Sequence, residues 1–132
     1  NIIATSIALQ EATKKLDVNI KYIANLKNEL INKLKVIKDV HINTPTNSIP
    51  NIINFSINKA DAIVKKLSDK NIYVSTKTAC SSKNAPSKSV LAVTKDLNLA
   101  KNSIRVSLSH LTTKEEIDIF LKELTEVINE NN

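Results

Sequence analysis

The sequence is poor in the residues that usually build tight turns, cysteine clusters and aromatic sites. It has 132 residues but no glycine, methionine or tryptophan, and only one cysteine, two tyrosines and two phenylalanines. A single cysteine excludes an intramolecular disulfide and a zinc site built on paired cysteines, and it is typical of a reducing compartment, so we expect a cytosolic protein without a metal site. Without glycine, we expect asparagine at positions of positive φ, with six candidates near predicted element ends: Asn19, Asn43, Asn47, Asn71, Asn84 and Asn98.

Long apolar runs are also absent. The uninterrupted apolar stretches span only a few residues, as at Ile52 and Ile53, whereas a membrane helix needs ~20. The N-terminus has neither the basic and apolar regions of a signal peptide nor an initiator methionine. We therefore expect no membrane segment, and we expect the chain to be a fragment of a longer protein.

Positive charge comes almost wholly from lysine. The formal net charge is +6, and of the 19 basic residues all but Arg105 are lysines. Proteins that bind nucleic acids favour arginine and aromatic stacking platforms, so we expect no direct nucleic-acid binding, although a general attraction to acidic partners is expected. The one arginine retained in a lysine-rich chain is itself a candidate binding residue.

Apolar periodicity predicts five helical segments. One helix is expected over residues 2–16 and a second, capped by Asp17 or Asn19, continues to Ile37 with an apolar residue every third or fourth position. A short helix capped by Asn58 ends at Asn71, and a further turn or two follows over residues 89–95. The last helix begins at a capping box that pairs Thr112 with Glu115 or Thr113 with Glu116.

Alternation of apolar and polar residues predicts the strands. A short strand begins at His41 and Ile42, and strands are expected over residues 51–57, 72–76 and 103–109. The element order α-α-β-β-α-β-loop-α-β-α predicts a single α/β domain over residues 1–132, with two layers. We expect a mixed, mainly antiparallel sheet of about four strands with helices on one face.

Cys80 is the residue with the most reactive chemistry. A lone cysteine is most often a small buried apolar residue, but the polar segment of residues 77–88 predicts a loop, which would place Cys80 at the surface. The nearby amines of Lys77, Lys83 and Lys88 would favour the nucleophilic thiolate. These lysines could also attract an acidic partner protein, or they could simply be solvated.

Several segments, taken in order, resemble the cysteine desulfurases of the NifS/IscS type, a class V aminotransferase family. Residues 74–82, with the sequence Val-Ser-Thr-Lys-Thr-Ala-Cys-Ser-Ser, resemble the family's active-site loop, and residues 103–109, Ser-Ile-Arg-Val-Ser-Leu-Ser, resemble its arginine strand. Residues 50–56 and 112–118 resemble the strand that opens the small domain's sheet and the start of the last helix. Lys77 stands where the family usually has glycine. The resemblance covers essentially the whole chain.

This resemblance implies a C-terminal small domain of a fold-type I enzyme that uses pyridoxal phosphate to convert L-cysteine to L-alanine. Cys80 matches the nucleophile that carries the sulfur as a persulfide, and Arg105 matches the arginine that binds the substrate carboxylate, for which a planar guanidinium is suited. The implied partners are L-cysteine, a sulfur-acceptor protein of the scaffold or tRNA-thiolation type, and a second subunit in a homodimer.

The family's cofactor lysine, ring-stacking histidine and pyridine-nitrogen aspartate belong to a large domain that has no counterpart in this sequence. We therefore expect these 132 residues to bind no pyridoxal phosphate and to be inactive alone. Two alternatives stay open: a non-catalytic module that docks a sulfur acceptor, and a selenocysteine lyase or another class V enzyme. A lysine in the family's context upstream of Asn1 would favour an enzyme, whereas a natural start codon there would favour the docking module.

The remaining polar candidates have simpler explanations. His41 is expected to be structural, His110 to lie at the surface, and Glu115 and Glu116 to cap a helix. The Ser81–Ser82 pair has no neighbouring base, so a serine nucleophile is not expected.

Overall fold

The computed structural model describes residues 2–45, 48–76 and 85–131, with the backbone alone over residues 2–9. Its elements in chain order are helix α1, strands β1 and β2, helices α2, α3 and α4, strand β3 and helix α5. Their bounds are Ile2–Lys35, His41–Ile42, Ile52–Ser56, Ala60–Asp69, Lys88–Thr94, Leu97–Lys101, Ser103–Ser107 and Lys114–Asn131, respectively. Within the described ranges, no helix is long and apolar enough to cross a membrane.

The three strands form an antiparallel sheet in the order β1-β2-β3. The register pairs Ile42 with Phe55 across β1 and β2, and Asn54 with Arg105 across β2 and β3. Since side chains alternate between the two faces of a strand, Ile53 and Phe55 point to one face together with their cross-strand partners, whereas Asn54 and Arg105 point to the other.

The apolar face of the sheet carries the core. Ile53, Phe55 and Ile104 are fully buried, and they belong to one cluster with the buried faces of α1, α2 and α5. The predicted α/β fold is confirmed, with α1, α2 and α5 packed on the apolar face of an antiparallel sheet. The short helices α3 and α4 lie beside the other face. At ~25 cal/mol per Å² of buried apolar surface, this single cluster is the main stabilising term of the fold.

Helix α1 corrects the expectation of two helices divided at Asp17 or Asn19. It runs without interruption over Ile2–Lys35. Aspartate and asparagine cap a helix only where the backbone leaves the helical region, and inside a helix they cost little. No glycine or proline lies between residues 2 and 35, so nothing forces a break.

The segment of residues 72–76 corrects a second expectation, because it forms a single bridge and not a fourth strand. Ser75 and Arg105 exchange two backbone hydrogen bonds, of 3.1 and 2.6 Å. The start of the segment is held elsewhere, since the Ile72 amide donates to the Leu67 carbonyl at 2.9 Å. With Asn71 at positive φ, that bond closes helix α2 in a Schellman-type end and leaves little chain for pairing.

Among the described residues, positions of positive φ are filled by several residue types and not mainly by asparagine. These residues are Asp39, Lys59, Asn71 and Lys95, so Asn71 is the one expected asparagine found there in the described part of the chain. The expected Asn47 and Asn84 lie outside the described residues. Lys59 occupies the N-cap position of α2 without a side-chain cap, which corrects the assignment of that cap to Asn58. The chain thus accepts left-handed lysines, which cost about 1–2 kcal/mol each relative to glycine.

Two helix starts carry the caps that a sequence can specify. Thr113 Oγ1 accepts from the Glu116 amide at 3.1 Å, and the Glu116 carboxylate accepts from the Thr113 amide at 3.5 Å, which selects the second of the two predicted registers. Helix α4, which begins after Asp96, was not predicted. The sequence did contain an N-cap residue for this helix, Asp96, whose carboxylate accepts from the backbone amides of Asn98 and Leu99.

Candidate functional site

The second face of the sheet is polar and is only partly covered. Asn54 and Ser56 of β2 and Ser103 and Arg105 of β3 share this face by alternation. Helices α3 and α4 pack beside it, and the Ser56 hydroxyl donates to the Leu99 carbonyl at 2.7 Å. The polar residues of the two strands and a helical turn over residues 89–95 were visible in the sequence, but helix α4 and the packing of both helices beside this face were not.

A cavity of about 330 Å³ lies between this face, helix α3 and the loop that follows β1. That volume is at the lower end of the range for small-molecule sites. The wall is a mixture of hydroxyl, amide and aliphatic groups with one cationic side chain, Arg105. It is formed by Asn43, Thr44, Pro45, Ser48, Ile49, Ile52, Asn54, Thr76, Ser87, Ser89, Val90, Val93, Ser103 and Arg105.

Arg105 is the only charged residue in that described wall. The residue is half-buried, and its Nε is buried without a hydrogen-bond partner among the described residues. None of the carboxylates that the structure describes forms a salt bridge with it. Because a buried donor without a partner is costly, a guanidinium in this state is suited to an anionic ligand, and a carboxylate matches its fork of donors.

A row of polar side chains leads across the sheet to Arg105. The Asn43 amide donates from Nδ2 to Asn54 Oδ1 at 2.8 Å and to Ser56 Oγ at 2.7 Å. Asn43 is only 7% exposed, and its Oδ1 is buried without a partner in the described part of the chain. Asn43 and Asn54 were not predicted as site residues, because their place beside Arg105 depends on the strand register.

The loop after β1 is fastened to the rest of the fold at two points. Thr44 Oγ1 accepts from the backbone amide of Asn54 at 2.7 Å. Lys27 of α1 donates from Nζ to Ser48 Oγ at 2.6 Å and to the Ile49 carbonyl at 3.0 Å. Burial lowers the pKa of the Lys27 amine below its usual range. Lys27 therefore holds one wall of the cavity from behind, a role its place in an amphipathic helix did not reveal.

The predicted nucleophile Cys80 lies outside the described residues, as do Lys77 and Lys83. Thr76 and Ser87, described residues on either side of the segment that contains them, both line the cavity. Lys88, at the start of α3, is exposed.

The other predicted polar residues do not join the cavity. His41 and His110 are exposed, Glu116 caps α5 as expected, and Glu115 is exposed in its first turn. No group of metal-ligating side chains occurs among the residues that the structure describes.

Comparisons with known proteins agree with the segments found in the sequence. Residues 1–120 match the family model described as aminotransferase class-V. The chain is 37% identical over 131 residues to "Cysteine desulfurase IscS" of Buchnera aphidicola subsp. Baizongia pistaciae, covering 97% of this chain and 32% of that protein. For the protein of the same name from Dictyoglomus turgidum the identity is 35% over 132 residues, covering 96% and 34%.

A solved structure of a "NifS-like protein" superimposes with a TM-score of 0.74 at 29% identity, over 98% of this chain and 33% of that one. The likeness extends through the whole α/β arrangement. The chain spans about a third of the length of the relatives it matches.

The described cavity wall lacks the groups that hold pyridoxal phosphate. Among its described residues there is no lysine to bind the cofactor covalently and no carboxylate to pair with a ring nitrogen. The described wall therefore does not fit this cofactor by itself. It fits a small ligand that presents a carboxylate to Arg105.

Proposed function

This chain belongs to the aminotransferase class-V family, and from that membership we propose that it is the C-terminal small domain of a cysteine desulfurase. The observation that carries the proposal is the Arg105 guanidinium, which faces a cavity of amino-acid size and has no carboxylate partner among the described residues. L-cysteine is a ligand of matching chemistry, because its carboxylate can accept two hydrogen bonds from the fork of donors.

In this proposal Arg105 fixes the orientation of the substrate. A carboxylate held by two parallel hydrogen bonds leaves the amino acid little rotational freedom, so that its side chain is presented in one direction. Pyridoxal phosphate, the cofactor proposed for the whole enzyme, would supply the electron sink for the chemistry at carbon, and groups beyond the described cavity wall would hold it.

Cys80 is the proposed sulfur carrier. Its thiolate attacks the sulfur of L-cysteine, an S–S bond forms as the substrate's Cβ–S bond breaks, and the carbon skeleton takes up a proton and leaves as L-alanine. Cys80 then holds the persulfide. Support comes from the segment's resemblance to the active-site loop and from Thr76 and Ser87, which connect that segment to the cavity wall at both ends.

We further propose that the persulfide sulfur passes to an acceptor protein, of the scaffold or tRNA-thiolation type, and that the whole enzyme is a cytosolic homodimer. The net charge of +6 supports an acidic acceptor, because opposite charges speed the encounter of two proteins. The resemblance of the cysteine segment to the NifS/IscS type supports the transfer of sulfur to a protein acceptor and the homodimeric state.

Steady-state kinetics of Arg105→Gln in the native full-length protein test this function. Loss of a charge-assisted pair is expected to raise the KM for L-cysteine by about 10- to 100-fold, measured by alanine release. The matched control is Lys101→Gln, which removes one positive charge from an exposed position just before β3. An unchanged KM in Arg105→Gln would remove Arg105 from substrate binding.

A further inference from the structure

Asn54 lies beside Arg105 on the face of the sheet that forms the cavity. The two residues are direct cross-strand partners in the β2–β3 register, and both line the cavity. Side chains of such partners have Cβ atoms about 4.5–5.5 Å apart, so a ligand that reaches one of them is within reach of the other.

The Asn54 side-chain amide has one end fixed and one end without a partner among the described residues. Its Oδ1 accepts from Asn43 Nδ2 at 2.8 Å, while its Nδ2 donates to no described residue. Strand β1, which leads into Asn43, and strand β3, which carries Arg105, flank β2 on opposite sides. Since the oxygen and nitrogen of a planar amide point apart, the bond from Asn43 turns the Nδ2 of Asn54 toward the side of Arg105.

Asn43 is well placed to fix that orientation. It is 7% exposed, and both Nδ2 hydrogens are used, one on Asn54 and one on Ser56 Oγ at 2.7 Å. Ser56 in turn donates to the Leu99 carbonyl of α4. Because of this chain of bonds, the Asn54 side-chain amide cannot exchange its oxygen and nitrogen ends without losing the partly buried hydrogen bond from Asn43.

We propose that Asn54 is a second carboxylate-binding residue, donating from Nδ2 to the carboxylate that Arg105 holds, and that Asn43 is the residue that positions it. This inference rests on the proposed function. A carboxylate offers about four acceptor positions, so it accommodates the guanidinium fork and one amide donor together. Two different donors on adjacent strands would select ligands with a carboxylate over the corresponding amines and esters.

Asn54→Asp tests the proposal in the native full-length protein. The substitution keeps the oxygen that accepts from Asn43 but replaces the free donor by a carboxylate next to Arg105, which then competes with the substrate. We expect the KM for L-cysteine to rise at least about tenfold, with kcat at saturation within about threefold of wild type. Asn54→Ser, which replaces the amide donor by a shorter hydroxyl without adding charge, is expected to give a smaller rise in KM.

The matched control is Asn51→Asp, which makes the same chemical change at an exposed position three residues earlier, outside the cavity wall. It is expected to leave KM and kcat unchanged. The inference is overturned if Asn54→Asp and Asn54→Ser both keep a KM within about twofold of wild type while Arg105→Gln shows a raised KM. That result leaves the proposed function intact. Wild-type protein that releases no alanine from L-cysteine overturns the proposed function itself.

Discussion

Lys27 is a lysine that the fold buries on one side of helix α1. It is 6% exposed, and its amine donates to a hydroxyl and a carbonyl of the loop after β1, while no described carboxylate pairs with it. Burying an amine that is not paired with an opposite charge disfavours the charged form, which is why its pKa is lowered. Its contribution to stability therefore depends on pH.

The direction of that dependence follows from proton linkage. The folded state binds its Lys27 proton less tightly than the unfolded chain, whose lysine pKa is about 10.4. Between the folded-state and unfolded-state pKa values, the unfolded chain therefore binds more protons than the folded protein. Stability rises with pH over that interval, because the folded protein no longer carries the cost of burying a charged amine. We expect wild type to gain stability relative to Lys27→Met between about pH 7 and pH 10.

Urea denaturation of the wild-type, Lys27→Met and Lys21→Met proteins at about pH 7 and about pH 10 measures this gain. Lys21→Met is the matched control, because Lys21 is exposed on the same helix and should show no such change against wild type. A difference between wild type and Lys27→Met that is constant with pH, or that moves the other way, would contradict the account of Lys27.

At the scale of the elements, helix α3 ends at a lysine whose backbone is in the left-handed region. Lys95 is the C-cap of α3 with φ of 55°, and its amide donates to the Leu91 carbonyl. Left-handed backbone at a residue with a Cβ is strained, and glycine is the usual solution at this position. The absence of glycine from the chain therefore carries a local cost at the helix that borders the cavity.

Lys95→Gly is expected to stabilise the protein by about 0.5–1 kcal/mol, since the relieved strain exceeds the extra entropy of glycine in the unfolded chain. The same exchange at Lys65, an exposed residue inside α2, should instead destabilise by about 1 kcal/mol. Chemical denaturation measures both free energies of unfolding. Equal destabilisation by the two substitutions would show that Lys95 is not strained.

Element by element, the sequence predicts what local patterns control. The strands containing Ile53 and Ile104 and the apolar face of α5 follow from periodicity and are confirmed. The extent of α1 and the fate of residues 72–76 do not follow from it, because they depend on a helix continuing through tolerated polar residues and on the Ile72 amide bonding to Leu67.

The same division applies to the site. Arg105 could be singled out as the one arginine on a predicted strand, and the structure lines a cavity with it. Asn43, Asn54 and Lys27 could not be singled out, since their value comes from strand register and from contacts between residues distant in sequence. Local spacing carries no information on either.

For the whole molecule, the described fold is one sheet with two different faces. One face, with Ile53 and Phe55, is buried under α1, α2 and α5 and supplies stability. The other, with Asn54 and Arg105, lines the cavity that we propose as the substrate site. Thr76 and Ser87, described residues on either side of the segment that contains the proposed sulfur carrier Cys80, both line this cavity.

Mass spectrometry of the Cys80 peptide tests this account most directly. Native full-length protein is incubated with L-cysteine, trapped with an alkylating reagent and digested, with Cys80→Ser and Arg105→Gln protein treated alongside. We predict that wild-type Cys80 gains the mass of one sulfur atom while L-alanine accumulates, that Cys80→Ser releases little alanine, and that Arg105→Gln needs far more L-cysteine for the same labelling. Undiminished alanine release by Cys80→Ser, with no extra sulfur on Cys80 in wild type, would contradict the account.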